Sequence, residues 1–188
     1  KDKTELNKLQ SDRLGAMPRY WEKKLAAAAP DGFVLCPLDA RGRDRTTWKA
    51  LERLLHSDPA KLKQAGADRW GTTHDRLQLA CAWRLEHPSM WDRYVGGQQQ
   101  ITRDLKLLSQ AHTPQVGGLP LQTAAAASGL PGHLNTQVKE CVLMHGTSPQ
   151  VMMSVLSNGP NERYSGTNAG TAFGDGTYFA EDAGKNVR

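Results

Sequence analysis

The sequence lacks the marks of several large protein classes. No apolar run approaches the ~20 residues that a membrane-spanning helix needs, which predicts a chain with no transmembrane segment and no membrane partner. No Gly-x-Gly-x-x-Gly opens a helix after a predicted strand, and no Gly-x-x-x-x-Gly-Lys-Ser/Thr occurs. Neither common phosphate-binding loop is therefore expected. The first residues, Lys-Asp-Lys-Thr-Glu, do not resemble a secretory signal peptide.

Cysteine is also scarce. The three cysteines, Cys36, Cys81 and Cys141, have no Cys-x-x-Cys spacing, so no metal site is predicted from them. Each lies in a short apolar run, which predicts three buried and unpaired core residues. Because unpaired cysteines are typical of a reducing compartment, we expect an intracellular protein of the cytoplasm or nucleus.

What is present is a mixture of strand and helix patterns, which predicts an α+β fold. Leu77 to Glu86 alternates apolar and polar residues with a period of two, so one face of this strand should be buried. The helix opened by Pro88-Ser89 keeps its phase across Gly96-Gly97, which predicts one continuous helix. Further strands are predicted at 33–36, 138–144 and 177–180, further helices at 1–17, at 19–30, after a cap at Thr46 or Thr47 and from Pro149, and a long loop at 113–132.

Three signals in the last third of the chain carry candidate chemistry. His145 ends a predicted strand and precedes Gly146, whose missing side chain lets a planar ligand approach the main chain. A run with four glycines, Tyr164 to Gly176, leads into a strand that carries Tyr178. Each signal alone is common, since a strand-end histidine is usually structural and Asp175-Gly176 is an ordinary hairpin turn. Together they suit a flat heteroaromatic amide and its ribose.

The order of these motifs resembles the catalytic domain of the poly(ADP-ribose) polymerases, which are diphtheria-toxin-like ADP-ribosyltransferases. The family pattern is His-Gly-Thr, a helix that ends in Gly, and Gly-x-Gly-x-Tyr-Phe-Ala. His145-Gly146-Thr147, Gly159 and Gly174–Ala180 match it. Upstream, Pro18–Trp21 is similar to the family's Pro-x-x-Trp entry, and Arg84–Tyr94 to its strand-Asn-Pro-x-Leu-Trp-x-x-Tyr-helix segment. The Tyr-Ser-Gly-Thr-Asn-Ala stretch looks closest to mono-ADP-ribosylating members.

The resemblance implies a site that binds NAD as a substrate. His145 would bond a ribose hydroxyl, Gly146 would offer main-chain groups to the nicotinamide carboxamide, and Tyr178 would pack on the nicotinamide ring. His145 and Tyr178 would thus be the catalytic residues. Asn186 stands where a carboxamide-binding Ser is usual, next to Lys185 at the family's lysine. The implied NAD-binding set is His145, Gly146, Thr147, Tyr164, Tyr178, Phe179, Ala180, Lys185 and Asn186.

It further implies an ADP-ribosyltransferase fold over residues 18–188, with a mixed or antiparallel sheet and surrounding helices, after a helical extension at 1–17. The family's C-terminal strands, its second stacking tyrosine and its third triad position would lie beyond Arg188, so the domain would be incomplete here. Turnover by these residues alone would then be negligible. Gly96-Gly97 and Pro160 depart from the family pattern.

The implied function is transfer of ADP-ribose from NAD to a protein acceptor, or to a nucleic acid, with release of nicotinamide and without a metal. Two alternatives stay open. The first is a non-catalytic module that binds NAD or ADP-ribose. The second is a basic nucleic-acid-binding protein, for which the sequence offers only a net charge of +5 spread along the chain.

Overall fold

The computed structural model describes residues 3–5, 8, 17–22, 32–56, 76–110, 121–161 and 174–186. These residues combine a two-stranded antiparallel sheet with helices, which is an α+β arrangement. The predicted helices at 1–17 and beyond residue 22, and Tyr164, lie largely or wholly outside this part of the chain. The elements in chain order are β1 (Val34–Pro37), α1 (Arg45–Leu55), β2 (Trp83–Glu86), α2 (Pro88–Gln110), α3 (Thr123–Ala127), a 3-10 turn (Thr136–Val138), α4 (Pro149–Asn158) and a second 3-10 turn (Ala183–Asn186).

The sheet pairs β1 with β2, with Val34 opposite Glu86 and Pro37 opposite Trp83. The strand predicted at 33–36 is confirmed as β1. The strand predicted from Leu77 is largely wrong, since only its last four residues form β2. Its predicted buried face is wrong as well, because Trp83 is 55% exposed while Glu86 is completely buried. Between these two ends, Arg84 and Leu85 are both half-buried, so exposure does not alternate along β2.

Hydrogen bonds to its carboxylate explain why Glu86 can be buried. The main-chain N–H of Glu22 donates to both carboxylate oxygens at 2.9 Å. Arg84 donates to Oε1 through Nε at 2.8 Å and Nη2 at 2.7 Å. A buried charge is tolerated when it is paired and hydrogen-bonded in this way. The same bonds attach residues 17–22 to β2. These residues form a turn, with the Trp21 N–H bonded to the Pro18 carbonyl, so the helix predicted to start at residue 19 is absent up to residue 22.

Helix α1 packs against α3. The helical spacing of Trp48, Leu51 and Leu55 predicts that they form the buried face of α1. The residues that α1 buries are instead Ala50 and Leu54, and the predicted three are half-buried. Small side chains allow the close approach, since a Cβ added at Gly129 would lie 2.9 Å from that of Ala50. The N-cap residue is Asp44, so the predicted threonine cap is wrong. Residues 121–132 contain α3 instead of the predicted uninterrupted loop.

Helix α2 runs without a break through Gly96-Gly97, as predicted. Its first turns contribute to the core through Trp91, whose ring centroid lies 5.8 Å from that of Trp21 and 5.5 Å from that of Tyr94. Aromatic pairs at these separations add stabilisation beyond the area they bury. Further along, Ile101 and Leu108 are exposed, so the apolar face of α2 is covered only near its N-terminus among the described residues.

The predicted strand at 138–144 is wrong. A 3-10 turn ends at Val138, and Lys139 follows in the left-handed conformation with φ 55°, which interrupts an extended chain. Helix α4 starts at Pro149 as predicted and ends at Gly159 with φ 83°, a conformation that favours glycine. The helical spacing of Val151, Met152, Val155 and Leu156 predicts a buried face. Val151 and Met152 are exposed and Val155 and Leu156 are only half-buried, so that face is not part of the core.

The cysteine prediction holds in one respect and fails in another. All three cysteines are free thiols, as predicted. Cys36 is buried in β1, whereas Cys81 and Cys141 are exposed. Cys81 precedes β2 and Cys141 follows the left-handed Lys139, so neither lies in the buried strand that its apolar neighbours predicted.

Candidate functional site

A single antiparallel bridge joins the two segments that carry the candidate chemistry. The Met144 N–H donates to the Ala180 carbonyl at 2.7 Å, and the Ala180 N–H donates to the Met144 carbonyl at 2.8 Å. The predicted strand at 177–180 is reduced to this bridge among the described residues. The bridge places His145, directly after Met144, beside Tyr178 and Phe179, directly before Ala180.

His145 makes two contacts with that neighbouring segment. Its Nδ1 lies 2.9 Å from the main-chain oxygen of Tyr178. Its ring centroid lies 5.4 Å from that of Phe179, with the ring planes tilted by 50°. The side chain is otherwise exposed. The imidazole is therefore held at the surface by groups that are 33 and 34 positions away in the sequence.

Tyr178 directs its side chain back along its own segment. The hydroxyl donates to the Gly174 carbonyl at 2.5 Å, and the side chain remains 41% exposed. Gly174 has φ 94°, so this turn favours glycine for its backbone conformation. His145 meets Tyr178 through the main chain, and the ring that contacts the imidazole belongs to Phe179. The motifs also predict that His145 and Tyr178 face one another across a single cleft with Gly146 exposed at its floor, and that arrangement stays a prediction.

The other predicted site residues lie around the bridge. Gly146 and Thr147 are exposed between the bridge and α4, and Ala180 is half-buried. Lys185 and Asn186 belong to the 3-10 turn Ala183–Asn186, which contacts α1. The structure therefore brings His145, Tyr178, Phe179 and Ala180 together.

The two acidic residues after the bridge have structural partners. Glu181 accepts the main-chain N–H of Gln122 at 2.8 Å, which connects this segment to the start of α3. Asp182 accepts the N–H of Gly184 at 2.8 Å, as a residue that caps a helical turn does. From their positions in the sequence, Glu181 and Asp182 are predicted to be a strand end and a helix cap rather than substitutes for the family's carboxylate. The Asp182 contact agrees with the predicted cap.

A shallow depression of about 450 Å³ lies near the site. It is lined by Asn158, Pro160, Asn161 and Thr177. Thr177 precedes Tyr178, and the other three residues follow or end α4. The sequence interpretation did not single out these amide and hydroxyl side chains. The only available signal was the Asn-Gly-Pro that ends a predicted helix, and that signal indicates a turn rather than a binding surface.

Two groups near Glu86, away from this site, have a raised pKa. Burial raises the pKa of Cys36, and the negative charge of Glu86 raises it further. Burial also raises the pKa of Tyr20, an effect that the nearby Arg84 guanidinium partly offsets. That guanidinium lies 5.8 Å from the centre of the Tyr20 ring. These shifts reflect the packing of residues 17–22 on the sheet.

No protein-family model matches the chain, and no curated protein matches it. The described residues contain no group of three His, Cys, Asp or Glu side chains that could hold a metal ion. No helix within the described ranges is both long and apolar enough to cross a bilayer.

Proposed function

We propose that this protein transfers ADP-ribose from NAD to an acceptor and releases nicotinamide. The observation that carries the proposal is the Met144–Ala180 bridge, which brings the His-Gly-Thr and Tyr-Phe-Ala motifs side by side. The two motifs are distant in the sequence, since His145 and Tyr178 are 33 positions apart. Their proximity supports a common site, and the proposed fold is that of the ADP-ribosyltransferases.

In this proposal, His145 accepts a hydrogen bond from a ribose hydroxyl of NAD. Exposed main-chain groups at Gly146 bind the carboxamide, and the half-exposed Tyr178 ring packs on the nicotinamide. The N-glycosidic bond breaks and nicotinamide leaves with the bonding electron pair. The acceptor nucleophile then forms the new bond to the ribose carbon and loses its proton. An oriented polar site favours the intervening cation electrostatically, and no metal is required.

The acceptor in this proposal is a protein side chain or a nucleic acid. Half-exposed Tyr178 and Phe179, together with the exposed His145, leave the site open to a large acceptor. No residue of this sequence matches the family's third triad position. Binding of NAD is therefore the first test, and turnover is the second.

The binding test is calorimetric titration with NAD of the wild-type protein and of His145→Ala. The exposed His56, at the end of α1, provides the matched control His56→Ala. Loss of one hydrogen bond from His145 should weaken NAD binding by about threefold to tenfold. The control variant should bind as the wild type does. Equal affinity in the wild type and His145→Ala would contradict this site.

The turnover test measures nicotinamide release from NAD by the 188 residues and by the longest natural form of the protein. Release that falls to background in His145→Ala supports cleavage of NAD at this site, and ADP-ribose found covalently on an acceptor supports transfer. Saturable binding of NAD without release in either form would instead favour the non-catalytic NAD-binding module.

A further inference from the structure

The two contacts on the His145 ring come from consecutive residues of one segment. The Tyr178 main-chain oxygen meets Nδ1 at 2.9 Å, and the Phe179 ring lies against the imidazole at 5.4 Å. Phe179 remains 50% exposed, so it buries far less apolar surface than a core phenylalanine. Its described ring contact is with an imidazole, which suggests a role in orienting that imidazole.

The Tyr178 contact also defines where the proton of a neutral His145 ring resides. A carbonyl oxygen can only accept a hydrogen bond, so Nδ1 must be the protonated nitrogen and the donor. Nε2 then carries the lone pair and acts as an acceptor. Among the described residues Nε2 has no hydrogen-bond partner, so its lone pair can accept a hydrogen bond from a ligand in the site.

His87 provides an internal comparison with the opposite arrangement. Its Nε2 lies 2.9 Å from the Ser157 carbonyl, so in the neutral ring Nε2 is the donor. Its Nδ1 lies 3.3 Å from the Ser89 hydroxyl, which can donate to it. Phe33 stacks on this ring at 6.0 Å. In their neutral forms the two histidines would therefore carry the proton on opposite nitrogens, and each lies beside a phenylalanine.

We propose that Phe179 is a positioning residue that holds the His145 ring on the Tyr178 carbonyl, and so keeps His145 protonated at Nδ1 with Nε2 as the acceptor. The inference rests on the proposed function, because it assigns a recognition rule to that site. An acceptor at Nε2 requires a ligand that presents a hydrogen-bond donor there. A sugar hydroxyl meets this requirement, whereas a carboxylate or phosphate oxygen does not.

The test uses nitrogen–proton correlation NMR of the histidine rings at about pH 8.5, where imidazoles are mostly neutral. Signals are assigned by loss in His145→Gln and His87→Gln. In the wild-type protein, His145 should be protonated at Nδ1 and His87 at Nε2. In Phe179→Leu, His145 should change to a mixture of both forms, while His87 keeps its form and reports an intact fold. Phe179→Tyr, which retains the ring, should restore the wild-type spectrum.

The matched control is Phe33→Leu, which removes the ring beside His87 and should leave the His145 signals unchanged. Protonation of wild-type His145 mainly at Nε2 would overturn the proposal. An unchanged His145 signal in Phe179→Leu would overturn the role of Phe179.

NAD titration of the same proteins separates the positioning role from the proposed function. Affinity should fall about threefold to tenfold in Phe179→Leu and stay within about twofold of wild type in Phe179→Tyr. No NAD binding by any of the proteins, with the predicted histidine forms observed, would refute the proposed function and leave the positioning role standing. Wild-type affinity in Phe179→Leu would show that positioning has no part in recognition.

Discussion

Replacement of Glu86 is the most informative perturbation of the fold. Its buried carboxylate accepts hydrogen bonds from the Glu22 N–H and from two nitrogens of Arg84. Glu86→Ala leaves these donors without their acceptor, and the Arg84 side chain is only 15% exposed. Removal of one partner from a buried ion pair costs about 3–5 kcal/mol. With a urea dependence of about 2 kcal/mol per M, the unfolding midpoint should fall by about 1.5–2.5 M.

The assay is urea unfolding followed by tryptophan fluorescence, because Trp21 and Trp91 lie beside the attached segment. Glu86→Gln keeps the side chain's shape and should recover only part of the loss, since its amide offers one acceptor oxygen in place of two. Arg43→Ala is the control: it removes the ion pairs that the exposed Arg43 makes with Glu22 and Asp44, and it should shift the midpoint far less than Glu86→Ala does. A midpoint for Glu86→Ala within 0.5 M of wild type would refute the reasoning (roughly 1 kcal/mol at the same urea dependence).

Three further predictions concern single sites. Iodoacetamide should modify Cys81 and Cys141 before Cys36, because Cys36 is buried and its raised pKa lowers the thiolate fraction. Mass spectrometry of timed digests would show the order of labelling, and early labelling of Cys36 would contradict the prediction. The same raised pKa means that the folded state favours the protonated thiol of Cys36, so stability should decline as the pH rises past 9.0, the ordinary pKa of a cysteine. Urea midpoints measured from pH 7 to 10 test this decline. Gly97→Ala in α2 should raise stability by about 0.5–1 kcal/mol, since a Cβ there meets nothing within 4 Å. Gly159→Ala should lower stability because the φ of Gly159 is 83°. Thermal melts of both variants test the pair, and equal shifts of their melting temperatures would contradict the argument.

Local signals predicted several elements correctly. The apolar run at β1, the phase of α2 across Gly96-Gly97, and the Pro149 start and Gly159 end of α4 were all readable from the sequence. These signals work because they depend on backbone conformation within a few residues. The motifs around His145 and Tyr178 were also readable, and the structure brings their main chains together.

Features that depend on distant partners were not predictable. Glu86 faces inward because of the Glu22 main chain, which is 64 positions away. Ala50 is buried because α3 and Gly129 approach it closely, and no pattern within α1 indicates that contact. The apolar periodicity of α4 likewise does not show that its face stays uncovered. The left-handed Lys139 is a local feature, because its N–H closes the 3-10 turn on the Thr136 carbonyl, and an apolar pattern does not reveal it. The contact between Phe179 and His145 is of the same long-range kind.

The Met144–Ala180 bridge has a consequence for the order in which the protein assembles. His145 and Tyr178 are 33 positions apart, and closure of an unfolded chain of that length costs ~3 kcal/mol of entropy. The two hydrogen bonds of the bridge contribute about 1–3 kcal/mol in total to the stability of the closed form. The hydrogen bonds of the bridge scarcely offset the entropy cost of closing the chain, so the bridge depends on the rest of the fold for its stability. On heating, it is expected to open before the sheet does. A ligand that contacts both sides of the bridge binds only the closed form, so by mass action it raises the melting temperature as its concentration increases.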